Sequence, residues 1–157
     1  MLNTRFALII AMAVFAAFAA VLGEAGNPSV VAPLKNQEIA DGCGCYFARS
    51  GAQTQRSDQY IFEFEHRGAA WMNIRGQDTK LQPSDPESMC MLNRIGQRCI
   101  MWFKSDDLQV KISVGATWVC PDEPSAESCE VTKLAGTLKV QLAHTKESLS
   151  IEGECGC

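Results

Sequence analysis

Gly42-Cys43-Gly44-Cys45 and Gly153-Glu154-Cys155-Gly156-Cys157 stand at the two ends of one long stretch, and the way they pair decides how that stretch folds. In an extended strand, residues two apart point to the same face, so each Cys-Gly-Cys offers two sulfurs on one side. If the two strands run antiparallel, Cys43 falls opposite Cys157 and Cys45 opposite Cys155. That pairing brings the first strand against the last and closes the sheet.

Between these ends the pattern is that of strands. Tyr60 to Glu65 alternates, with Tyr60, Phe62 and Phe64 on one face and Ile61, Glu63 and Glu65 on the other. His66-Arg67-Gly68 turns this strand into Ala69 to Ile74, and Arg75-Gly76-Gln77-Asp78 turns again toward Leu81. Ile100-Met101-Trp102-Phe103 is apolar on both faces, as in a covered strand. Leu108, Val110, Ile112 and Val114 share a face, and Gly115 reads as a bulge before Trp118. Leu138, Val140 and Leu142 alternate with polar residues, and Leu149, Ile151, Gly153, Cys155 and Cys157 share the parity of a core-facing row. About eight short strands at meander-like spacing predict an all-β fold, a single antiparallel barrel or closed sandwich, disulfide-stapled, over residues 42–157.

The N-terminus carries a different signal. Arg5 followed by the apolar run Phe6 to Leu22 and the small residues around Gly23-Glu24-Ala25 reads as a signal peptide over residues 1–25, with an uncleaved anchor as the alternative. Residues 26–41, with Pro28 and Pro33, read as an extended leader. No cysteine follows the apolar run until Cys43, which argues against lipid attachment. Eight cysteines behind a signal peptide predict four bridges formed in an oxidising compartment, periplasmic or secreted. Cys90 and Cys99 face each other if a hairpin turns at Arg94-Ile95, and Cys120 with Cys129 ties off a proline-containing loop. Of 14 basic and 18 acidic residues Arg5 and Glu24 leave with the signal, so the mature charge is about −4, and no basic cluster points to nucleic acid or an anionic membrane.

The residues that carry chemistry elsewhere are sparse here. Four thiolates from Cys43, Cys45, Cys155 and Cys157 offer a metal site for zinc or copper, although structural zinc favours wider spacing than Cys-Gly-Cys. Each Cys-Gly-Cys bridged within itself would instead be a strained redox pair. Inter-strand disulfides fit the exported compartment best, and no cofactor is expected. Met72, Met89, Met91 and Met101 include thioethers flanking Cys90 and Cys99, but without the repeated tract of a copper carrier they read as core filling. His66 and His144 fall in turns, and no nucleophile elbow, zinc-protease helix or phosphate loop occurs, so a non-catalytic protein is expected. Glu63 and Glu65 share a face and read as solvated. The candidate binding residues are loop residues: Arg49, Ser50, Gly51 and Gln53 after the first strand, and Asp122, Glu123, Ser125 and Glu127 in the tied loop.

The segments Gly42-Cys-Gly-Cys45, Ala70-Trp-Met-Asn-Ile-Arg-Gly76, Cys120-Pro121 with Cys129-Glu-Val131, and Gly153-Glu-Cys-Gly-Cys157 resemble a group of small exported bacterial proteins of no assigned function. That resemblance implies an envelope origin and a β fold. The chain is more distantly similar to periplasmic C-type lysozyme inhibitors, small disulfide-bonded antiparallel barrels whose Ser-Gly-x-x-Tyr-like loop plugs the enzyme's cleft. Here Ser50-Gly51-Ala52 is the nearest counterpart, without the tyrosine and ahead of the strand pair instead of after it. The expectation is an exported, non-catalytic binding or envelope-protective β domain whose loops meet a protein or cell-envelope component, with no nucleic acid and no membrane beyond the signal peptide as partner, and metal handling as the alternative.

Overall fold

The computed structural model describes residues 28–36, 43–52, 57–66, 68–88, 90, 92–121 and 131–156, so the predicted signal peptide lies outside the described residues. The strands are β1 (Val31–Ala32), β2 (Gly44–Arg49), β3 (Phe62–Glu65), β4 (Ala70–Ile74), β5 (Gln77–Pro83), β6 (Arg98–Ser105), β7 (Leu108–Trp118), β8 (Val131–Leu142) and β9 (Thr145–Gly156). β2 to β9 follow one another as an antiparallel meander, and β2 pairs with β9 to close an eight-stranded barrel. Closure removes the unpaired edges that an open sheet of this length would expose.

The closing register sets Gly44 opposite Gly156 and Cys45 opposite Cys155, and a disulfide joins Cys45 to Cys155 with their Cα atoms 4.0 Å apart. Cys43 is disulfide-bonded as well; the same register carried one step further reaches its expected partner Cys157, which lies outside the described residues.

The barrel is filled with side chains. Phe47, Phe62, Phe64 and Phe103 form its aromatic centre, with Phe47 stacked on Phe64 at 6.1 Å and Phe62 edge-on to Phe103 at 5.4 Å between centroids. Met72, Leu81, Val110, Ile112, Leu138, Val140 and Ile151 complete it, all essentially without exposed surface. Each such side chain contributes about 1.5 to 3 kcal/mol of burial, and together they make the barrel a packed core.

Two glycines allow the strands to come this close. A Cβ on Gly136 would strike the backbone of Ser113 and Val114 in β7, and one on Gly153 would strike the carbonyl of Tyr46 in β2. Gly115 has no such role: it pairs regularly with Ala135, and the bulge expected there falls between Ala116 and Trp118. At that irregularity the Thr117 hydroxyl donates to the Lys133 carbonyl.

β1 adds a ninth strand from the leader. It occupies the Asn73 and Ile74 positions of β4, on the same edge that β3 uses at Ala70 to Met72, so it continues the line of β3. Val31 is buried in the main core, and Leu34 joins a second apolar cluster with Ala48, Tyr60, Ala69 and Trp71 on the outer face of β2, β3 and β4.

Candidate functional site

Strand direction sorts the connections into two unlike ends. At one end lie the tight turns at residues 75–76, 106–107 and 143–144, together with the leader. Arg75 and Gly76 both have positive φ, the requirement of a type I′ hairpin. At the other end lie the Cys45–Cys155 bridge, the β3–β4 turn at His66, the long segment 84–97 and the connection that leaves after Trp118. The first end is closed, and the second is a mouth.

The closed end is where the first predicted binding loop lies, and there Arg49 is a clamp. Its guanidinium donates to the Val31 carbonyl (2.9 Å) and to the Ser29 hydroxyl (2.6 Å), and lies 3.7 Å from Glu147. Glu147 in turn accepts the Val30 amide at 2.9 Å. Asp78 accepts the amides of Lys35 (2.9 Å) and Asn36 (3.0 Å) as well as the Asn73 side chain. Arg49, read from sequence as a free binding residue, is therefore engaged in seating the leader. Ser50 and Gly51 form an exposed turn in which the Ser50 amide donates to the Ser150 carbonyl, and Gly51 has φ +80°. Gln53, Asp122, Glu123, Ser125 and Glu127 lie outside the described residues. Because β2 ends at the closed end and β7 at the mouth, the two predicted binding loops leave the barrel from opposite ends.

The mouth holds a cavity of about 460 Å³. Its walls are Phe64, Met101, Val114 and Leu134 from the strands, Leu92 from the segment before β6, and the Cys45 to Cys155 bridge. His66, Asn93 and Thr132 are its polar side chains, and His66 and Asn93 stand at the solvent-exposed rim. Of the four core phenylalanines only Phe64 lines this cavity, and the rest of its strand lining is smaller, Met101, Val114, Thr132 and Leu134. That size, apolar lining and position at a barrel mouth are those of a small-molecule site.

Cys90 and Cys99 are bridged, but not as the predicted hairpin. β6 begins only at Arg98, and the Gln97 amide bonds the Arg94 carbonyl in a tight turn with Gly96 at φ +81°, so the bridge ties a loop wall to a strand. Cys120 is also disulfide-bonded, and its expected partner Cys129 lies outside the described residues. Since Cys43, Cys45 and Cys155 are all in disulfides, their sulfurs are not thiolates in this form, and no group of three or more His, Cys, Asp or Glu among the described residues is placed to hold a metal. Met72 packs in the core and Met101 lines the cavity, while Met89 and Met91 lie outside the described residues.

Glu63 departs from its sequence reading. It is fully buried, while Glu65 is exposed. On the outer face the cross-strand register runs Lys80, Trp71, Glu63, Tyr46, Glu154, Lys133, Trp118 over seven strands, a row of aromatic and charged groups in which Glu154 and Lys133 stand side by side. Trp71 and Tyr46 flank Glu63, and Tyr60 lies 5.3 Å from Tyr46, ring to ring. Burial and then the Glu63 charge raise the Tyr46 hydroxyl above its ordinary pKa; burial, then Glu154, then Tyr46 raise that of Tyr60. Sequence reading missed this layer because strand alternation says which residues share a face, and not that a distant leader covers it.

The disulfides place the folded chain in an oxidising compartment. No helix among the described residues is long and apolar enough to cross a membrane. No family model, no curated protein and no solved structure matches the chain.

Proposed function

We propose that this chain is a non-catalytic binding barrel, exported to the periplasm or secreted by its signal peptide, whose mouth takes up an apolar molecule of the size of an acyl chain. The supporting observation is the cavity of about 460 Å³ between the aromatic core and the disulfide-rimmed opening. An apolar guest there removes Phe64, Met101, Val114 and Leu134 from water, at about 25 cal/mol per Å² covered. His66, Asn93 and Thr132 leave the opening able to hydrogen-bond a polar head. The bridges at this end hold the walls before a ligand arrives, which lowers the ordering cost of binding. The ligand fits an envelope component better than a peptide, because the cavity is lined mainly by apolar side chains and the β2–β9 ladder leaves no strand edge there for a peptide to pair with.

The test uses the mature oxidised protein and palmitate, followed by displacement of a fluorescent acyl probe. Stoichiometric displacement is expected, and Leu134→Trp, which fills the cavity, should weaken it by about tenfold or more with the thermal transition retained. Displacement equal in Leu134→Trp and the native sequence would remove the mouth as the site. Intact mass with and without reduction decides the rival metal reading: eight oxidised cysteines accord with a scaffold role, whereas four free thiols with bound zinc or copper would make the two Cys-Gly-Cys ends the functional site.

A further inference from the structure

The large exposed apolar side chains are unevenly distributed. Ile95 is 69 % exposed, Ile100 52 %, Trp102 47 % and Trp118 39 %, and all four belong to β6, the segment just before it, or the end of β7. The Gly96 amide donates to the Ala116 carbonyl, and the Ala116 amide to the Gln97 carbonyl, so Ile95 is held beside the end of β7 that carries Trp118. Ile95, Ile100 and Trp118 thus form one lip of the mouth, with Trp102 one step further down the same strand face. Ile100 and Trp102, read from sequence as part of a covered or central strand, face outward and stay about half exposed, with the Lys111 ammonium 4.9 Å from the Trp102 ring. Leu92 and Asn93, three and two residues before Ile95, line the cavity, which makes the lip continuous with the cavity wall. Arg94 and Arg98 are exposed between these apolar groups, and the Lys133 ammonium lies 6.0 Å from the Trp118 ring. At the closed end the turns expose Arg75, Asp106, Asp107 and His144, and among the described residues no large apolar side chain is exposed there, whereas the mouth exposes apolar and charged side chains together.

We infer that this lip docks on a lipid bilayer and that the cavity receives an acyl chain drawn from it, an inference that rests on the apolar-ligand reading of the mouth. A flat protein partner would cover the lip and leave the cavity behind it unfilled, whereas a lipid surface satisfies both at once. Tryptophan and isoleucine interleaved with arginine and lysine suit the boundary between acyl chains and headgroups, where aromatic rings and basic side chains with long apolar stems are both stable. The net charge of −4 for the whole chain favours zwitterionic over anionic lipid.

The experiment floats the mature oxidised protein with phosphatidylcholine vesicles and, in parallel, measures palmitate binding in solution. The native protein should float, and Ile95→Ser with Trp118→Ser should reduce flotation by about tenfold while palmitate affinity stays within about twofold. Leu134→Trp should do the reverse, keeping flotation and losing palmitate. A native protein that stays off vesicles, or a doubly substituted one that floats as well as the native, overturns the docking. So does a native dimer on size exclusion that the double substitution converts to monomer, since the lip is then a contact between two copies. Vesicle binding with no palmitate binding overturns the cavity's part in it, and with it the reading of the mouth as an acyl site.

Discussion

Gly153 and Gly115 sit in neighbouring parts of the same sheet and carry opposite demands. At Gly153 any side chain meets the Tyr46 carbonyl, a backbone atom that cannot rotate away, whereas a Cβ at Gly115 would rest 3.5 Å from the Gln97 carbonyl in ordinary contact. Gly153→Ala should therefore lose about 1 to 3 kcal/mol in denaturant unfolding, and Gly115→Ala should stay within about 0.5 kcal/mol of the native protein. Equal effects would show that strand closeness at Gly153 is not what its missing side chain provides. The tyrosines give a second prediction. Because the folded state raises the pKa of Tyr46 and Tyr60, the unfolded chain loses those protons first, and stability should fall as pH rises through and beyond the ordinary tyrosine value of 10.0. Tyr60→Phe should flatten that alkaline loss, followed by circular dichroism against pH; an unchanged slope would place the titration elsewhere.

The β2–β9 pair is the element on which closure depends. A bridge spanning a sequence separation of 110 residues is worth about 4 to 5 kcal/mol in loop-closure entropy if it acts alone. Beside a second bridge one step away, most of that entropy has already been removed. Cys45→Ala with Cys155→Ala should accordingly cost much less, about 1 to 2 kcal/mol by thermal unfolding, as long as Cys43 keeps its bridge. A loss near the full value would mean that Cys43 does not close the same ladder. Cys43, Cys45 and Cys155 all line the cavity, so both bridges stiffen its wall whatever their separate thermodynamic weight.

Across the whole molecule the leader is part of the fold. Val31 and Leu34 are buried, and Glu147 and Arg49 hold the backbone at Val30 and Val31 while Asp78 holds it at Lys35 and Asn36. Removing residues 28–36 should cost about 3 to 5 kcal/mol in denaturant unfolding from the two burials and the ties lost, and should expose Trp71, read as a red shift of tryptophan emission. Unchanged emission would show that Trp71 is covered by something other than the leader. The same truncation should leave palmitate binding intact, since the leader docks at the end away from the mouth.

Much of this was legible in the chain itself. Alternation at Phe62 to Glu65, the shared parity from Leu149 to Cys155 and the paired Cys-Gly-Cys ends specify strands, their inward faces and the closing register, because strand period and disulfide reach are local rules that two-residue spacing obeys. The alternation read from Tyr60 fails at its first two residues, where Tyr60 joins the outer cluster and Ile61 the core because β3 begins only at Phe62. What lay beyond them needed the closed sheet. The strand alternation of β3 cannot show that Glu63 is buried between Trp71 and Tyr46, nor the apolar run of β6 that Ile100 and Trp102 face outward half exposed. A loop's composition marked Arg49 as available, while its partners arrive from residues 20 positions before and 98 after it. The cavity is the clearest case: its walls come from segments spread between Cys43 and Gly156, and a space bounded by residues that far apart exists only once the strands have closed around it.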